Sequence, residues 1–231
     1  MNICDWVTET LRDVAGDNLT SLLVYGPLVE EDHDAVKALS TLVLVLADTS
    51  KEPLSVLAEP LREATRRAHL TPYILRRDEV ARLLDALPLR ALTIRCQAKV
   101  LHGTNPFADV QPEREHVRLR VEQECRNLLI RLRHDICLAP AESHRLRASL
   151  WRTVRGITRV FEGLWFLKRG DEPHSADLWE QSAQDWDLSR DDVAELASYG
   201  TAGKAEDLAL TAHHALHLLE LITERADRFQ T

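Results

Sequence analysis

The stretch 19–48 reads LTSLLVYGPLVEEDHDAVKALSTLVLVLAD, and its reading decides the fold. Two apolar runs, 19–25 and 41–47, flank a glycine and a short acidic segment. Runs of this length, rich in Leu and Val and bounded by turn residues, predict buried strands. Gly26 follows the first run directly, where the backbone must turn tightly or pass close to a ligand. A helix opening there would aim its free N–H groups outward, which favours phosphate. Gly26 and Pro27 are therefore the candidate phosphate-binding turn.

On either side of this stretch the chain alternates helix and strand. Residues 3–15 predict an amphipathic helix with Ile3, Val7 and Leu11 on one face, ended by Gly16-Asp17-Asn18. A short helix is expected near 35–39. A helix over 53–69 starts favourably on Pro53, and Pro60 is expected to kink or split it. Strands are expected at 71–75 and 89–95, with a helix at 77–87 between them and a short extended piece at 99–101. This order predicts a mixed sheet of four or five strands covered by helices.

From residue 112 on, the pattern is helical throughout. Residues 113–138 carry one apolar stripe, Val117, Val121, Cys125, Leu128, Leu132 and Ile136. A second long helix spans 141–167, and Trp151, Phe161, Trp165 and Phe166 on it are read as bundle core. Shorter helices follow at 175–186 and 189–199, with Ser189 and Asp192 as a capping pair. Gly200 and Gly203 are expected to break the chain before a last striped helix at 205–229. Long striped helices joined by short links predict an antiparallel bundle. The fold class is thus α+β, with a mixed-sheet domain over 1–109 and an all-α bundle over 110–231.

Composition sets bounds on function. The 231 residues are 45% hydrophobic and 29% charged, ordinary for a folded soluble protein. No apolar run approaches the roughly 20 residues needed to span a bilayer. Cys4, Cys96, Cys125 and Cys137 show no C-x-x-C spacing and read as reduced thiols of a cytoplasmic protein. The net charge of −8 is unevenly spread. Residues 111–170 hold 13 Lys/Arg against 7 Asp/Glu, a net of +6, whereas 171–231 hold 4 against 14, a net of −10. The acidic tail argues against general nucleic-acid binding.

The strand, glycine, short acidic segment and second strand resemble the nucleotidyltransferase superfamily, in its minimal and antibiotic-modifying branch. The run TPYILRRDEVARLLDALPLRALTIRCQAKVLHGTNPF resembles the next part of that domain. REHVRLRVEQECRNLLIRLRHDICLA resembles the first helix of the attached helical domain, so the likeness covers roughly 15–140. The resemblance implies a Gly-Ser turn followed by Asp-x-Asp on the second strand, the two carboxylates holding Mg²⁺ against a nucleoside triphosphate. This chain has Gly26-Pro27 at the turn. Counting from the glycine puts the acid positions at Ala38 and Ser40; aligning on the second strand puts them at Thr41 and Val43. The family's third acid falls on Thr93. None of these residues is a carboxylate.

Nucleotidyl transfer needs carboxylates at i and i+2 of a strand, where alternate side chains share a face and can grip the ions that neutralise the triphosphate. Thr, Val, Ala and Ser supply no such charge. The expectation is a non-catalytic relative that binds a nucleotide, a protein partner or a second copy of itself, without cofactor. The alternative is an active transferase using Mg²⁺ and ATP through displaced acids, for which Asp32 and Asp34 are the candidates. The bland reading of Asp32-His33-Asp34 is a solvated acidic loop. His213 and His217 stand at i, i+4, a spacing that suits a shared metal, but polar-face or interhelical histidines are the better reading. Arg126 to His134 is too wide, and Arg131 to His134 too tight, for the Arg-x4–6-His motif found in some helical partners of minimal nucleotidyltransferases. The arginines of 118–159 are read mostly as solvated or paired with Glu122 and Glu124.

Overall fold

The computed structural model describes residues 2–26, 28, 40–109, 111–139, 143–171 and 178–229. The chain forms two compact units, Met1–Ala86 with Thr93–Gln111, and Leu87–Leu92 with Pro112–Thr231.

The first unit opens with α1, Ile3–Ala15, whose N-terminus is capped by the Asn2 side chain accepting from the Cys4 N–H. Next come β1, Leu19–Tyr25, and β2, Ser40–Leu46. Then follow α2, Lys51–Ala68, β3, Leu70–Arg76, and α3, Glu79–Ala86. The last strand is β4, Lys99–His102. The sheet order is β3-β2-β1-β4. β1 runs antiparallel to both its neighbours, and β2 and β3 are parallel. The sheet is therefore mixed, and its two central strands read as unbroken apolar runs because both their faces are buried. Leu22, Val24, Leu42, Leu44 and Leu46 pack with Val7 and Leu11 of α1 and Leu57, Leu61 and Ala64 of α2. Leu23, Val43 and Val45 point to the opposite face and are buried as well. The edge strands resist further pairing: β4 has four residues, and Pro72 interrupts the donors of β3.

Two expectations for residues 1–109 need correction. Residues 89–95 are not a strand. They lie in α4, Pro88–Gln97, with Pro at the first helical position. Ala91 N–H donates to the Leu87 carbonyl and Ala98 N–H to that of Ile94, both at 3.1 Å. Leu89, Ala91, Leu92, Thr93 and Ile94 are all buried, so the segment is apolar nearly all round and its period does not separate helix from strand. Pro60 does not split α2. The helix runs through it although Pro60 has no N–H to offer the Val56 carbonyl. The expected helix near 35–39 lies outside the described residues.

The second unit contains α5, Arg114–Leu138, α6, His144–Arg169, and α7, Leu178–Asp185. It ends with α8, Arg190–Ala202, and α9, Leu208–Arg228. Its core is one cluster running through α5, α6, α8 and α9, with Leu89 and Leu92 included. α6 is central, and its glycines explain how. A Cβ on Gly163 would stand 2.5 Å from Leu89 and 2.7 Å from Val121, and one on Gly156 would stand 2.7 Å from Leu128. At these glycines any larger residue would force the facing leucine or valine side chain to shift. Gly200 does not break the chain as expected. It sits inside α8, against Val154, and the helix ends at the left-handed Gly203. Phe161, Trp165 and Phe166 are buried core, as read from the pattern, and Phe161 meets Trp179 edge-on at 4.9 Å.

Gly103 follows β4 with a φ of +72°, and a Cβ there would lie 2.2 Å from the Thr20 carbonyl oxygen of β1. Backbone, not a flexible side chain, fills that space. Gly103→Ala is expected to lower the unfolding free energy by about 2 kcal/mol or more, measured by chemical denaturation.

Candidate functional site

β1 delivers the chain to Gly26, whose φ of +103° is one that L side chains rarely adopt. The chain returns at Leu28, whose N–H donates to Ser40 Oγ at 2.9 Å. Ser40 is the first residue of β2 and is buried. Its hydroxyl thus holds the turn segment to the strand. Pro27, Asp32, Asp34 and Ala38, all named from sequence, lie outside the described residues.

The strand register decides what stands beside this turn. Tyr25 is opposite Thr41 and Leu23 opposite Val43 on the antiparallel ladder. On the other side of β2, Thr71 is level with Thr41 and Tyr73 with Val43. Alternate residues share a face, so these six side chains form one patch at the Gly26 end of the sheet. β4 brings Val100 beside Leu23. The patch offers hydroxyls from Tyr25, Thr41, Thr71 and Tyr73, and no carboxylate. None of the four strands, LTSLLVY, STLVLVL, LTPYILR and KVLH, carries Asp or Glu at any position. Hydroxyl groups of this kind can hydrogen-bond a ligand but cannot match the charge of Mg²⁺. The sequence reading missed Tyr25, Thr71 and Tyr73. Counting alternate residues back from the turn would have found Tyr25; the β3 pair needed the parallel register.

Thr93, matched to the family's third acid, is not on a strand. It lies buried in α4, so that correspondence fails with the strand that carried it.

In the helical unit the histidines resolve into interhelical contacts. His217 Nδ1 meets Asp192 Oδ2 at 2.7 Å, and His214 Nδ1 pairs with Glu195, which also accepts from Thr211. Asp192 and Glu195 sit on α8 and the histidines on α9, so the pairs tie the two helices. His213 is exposed and does not join them. Among the described residues no group of three His, Cys, Asp or Glu could hold a metal ion. Ser189 caps α8 by accepting from the Asp192 N–H at 3.3 Å. Two arginine pairs fall on the expected acids, Arg126 with Glu122 and Arg159 with Glu124, whereas Arg118 pairs most closely with Glu115.

Asp135 is one of three buried acids described in this unit, with Glu162 and Asp192. It accepts from the Ser149 hydroxyl at 2.6 Å and from Arg145 Nε and a terminal guanidinium nitrogen at 3.1 and 3.0 Å. The Ser149 hydrogen bond, helped by Arg145, holds its carboxyl below the ordinary Asp range against the opposing effect of burial. The four cysteines are free, and burial pushes the Cys125 thiol up to about 12, so it is inert as a nucleophile. Among the described residues no helix is long and apolar enough to cross a membrane.

No protein-family model and no curated protein matches the sequence. The fold does have a counterpart among solved structures. Spectinomycin adenyltransferase from Enterococcus faecialis, solved with ATP and spectinomycin, aligns at a TM-score of 0.57 and 10% identity. The alignment covers 96% of this chain and 97% of that one. By fold, this chain is nucleotidyltransferase-like. A nucleotidyltransferase-like protein from Exiguobacterium sibiricum aligns over 95% of this chain and 74% of its own, at a TM-score of 0.35 and 14% identity. The nucleotidyltransferase-like fold accounts for the mixed sheet and for the helical unit that follows it.

Two measurements probe these sites. Ser40→Ala strands the Leu28 N–H without its acceptor and is expected to cost about 1–2 kcal/mol, read by thermal and chemical unfolding. The lowered carboxyl of Asp135 gives stability that is complete above the unfolded Asp range, about pH 4, and is lost as the pH falls below it. Asp135→Asn should therefore be less stable at pH 7, by about 1–3 kcal/mol for hydrogen bonds to a charged group. It should also show a flatter stability profile between pH 5 and about pH 2.

Proposed function

We propose that this chain is a nucleotidyltransferase-like protein that works by binding and does not transfer a nucleotide through the metal mechanism of the family. One observation carries the reading: the six side chains brought level at the Gly26 end of the sheet are Leu23, Tyr25, Thr41, Val43, Thr71 and Tyr73. Charge neutralisation by bound metal is worth several kcal/mol in phosphoryl chemistry, and nothing in that patch can grip the ion. What such a patch retains is a glycine turn and hydroxyls suited to a phosphate or sugar. The spectinomycin adenyltransferase holds ATP on the same fold, and a nucleotide is the ligand we assign to this chain. A protein partner or a second copy of the chain is the other form that a binding function takes.

A second reading has a specific observation behind it. The segment after Gly26 carries Asp32 and Asp34, and acids supplied from there would make the chain a working transferase that needs Mg²⁺ and ATP.

Thermal unfolding with ATP, with and without Mg²⁺, paired with a label-transfer assay over hydroxylated acceptors, separates the two. Binding without chemistry predicts a melting temperature raised by ATP in the presence of chelator, and no transfer. Transfer that is abolished both by chelator and by Asp32→Ala with Asp34→Ala would overturn the reading.

A further inference from the structure

α5 and α6 run side by side along a seam that is rich in arginine. Arg145, Arg152 and Arg159 lie at seven-residue spacing on α6, so they share one edge of that helix. Across from them, α5 presents Glu124, Arg131 and Asp135. Arg159 pairs with Glu124 at 3.1 Å. Arg145 pairs with Asp135 at 3.0 Å, and Arg152 reaches only 3.8 Å from the same carboxylate. His134 Nδ1 adds a further contact to Asp135 at 3.3 Å. Arg131 has no carboxylate partner among the described residues. Four guanidinium groups thus face two carboxylates, and Arg152, with its side chain 71% exposed, and Arg131 carry the surplus.

Beside this seam α5 exposes an apolar ridge. Ile130, His134 and Leu138 stand at i, i+4 and i+8, and Ile130 and Leu138 are 65% and 60% exposed. The adjacent ridge is Asn127, Arg131 and Asp135, so the exposed aliphatics stand beside the cation of Arg131 and, reaching Asp135 from α6, that of Arg152. The geometry points to a docking surface for an acidic amphipathic helix of a protein partner. Its apolar residues would lie on Ile130 and Leu138, and its Asp and Glu side chains would meet Arg131 and Arg152. Nucleic acid fits the cations but not two large exposed aliphatics. A second copy docked through this same face would set cation against cation across the two-fold axis.

The test uses the full chain and a fluorescent synthetic helical peptide with Leu at i, i+4 and i+8 and Glu along one flank. A counterpart has Lys in place of Glu, and a single-stranded oligonucleotide matches the acidic peptide in charge. The acidic peptide is expected to bind at least about tenfold more tightly than the other two. Arg131→Glu with Arg152→Glu should weaken it at least about tenfold, and Ile130→Ser by about the fivefold that losing an exposed aliphatic contact brings. All these side chains are exposed, and circular dichroism confirms folding. Equal binding of the Lys peptide, equal or tighter binding of the oligonucleotide, no binding of the acidic peptide, or variants that bind like the parent would overturn the assignment.

Discussion

Antiparallel pairing of β1 with β2 is the constraint on which the rest of the first unit depends. Its register has a period of two, so slipping by one residue would move every side chain to the other face of the sheet. Both faces of these strands are apolar, and Thr20 Oγ also donates to the Val45 carbonyl at 2.8 Å across the ladder. The pairing in turn fixes Thr41 opposite Tyr25 and Val43 opposite Leu23. The chemistry at the Gly26 end of the sheet is therefore a consequence of packing. No side-chain rearrangement can bring an acid onto those positions, because the strands contain none.

Burial reinforces the point. Val43 and Leu23 are fully buried, and an ionised carboxylate at either position would lose its water. Such a group is tolerated only when paired with a cation or metal. An active transferase meets that condition with its ions. A chain that places valine and leucine there has the desolvated position filled by groups that need no partner. Valine and leucine at these positions therefore tolerate full burial without a charged partner.

Much of the fold was legible in sequence because its signals are local. β1 and β2 read from apolar runs, and α1, α5 and α9 from stripes at helical spacing. The pairing of His214 and His217 with a neighbouring helix was foreseen as a class of contact, although their partners on α8 were not. The failures share one cause. In 88–97 buried residues follow one another without a clear period, so hydrophobicity alone does not separate helix from strand. Gly200 looks like a breaker, yet in place it is the residue that lets α8 approach Val154. Ser40 looks like a failed metal ligand and serves as the acceptor for Leu28. In each case the deciding neighbour is far along the chain, where spacing carries no information.

The helical unit follows a different logic of charge. α6 is buried around most of its circumference, from Leu146 and Leu150 through Phe161 to Leu167. Along one edge of this enclosed helix, Arg145, Arg152 and Arg159 crowd together at seven-residue spacing. Crowded like charges repel unless carboxylates face them. α5 supplies Asp135, which accepts from Ser149 and Arg145, and Glu124, which accepts from Arg159, and then adds Arg131 to the same edge. Glutamate at that position would have closed the row with alternating signs and no net field. With arginine there the repulsion is carried as a standing cost of the fold, and an acidic partner is what would relieve it.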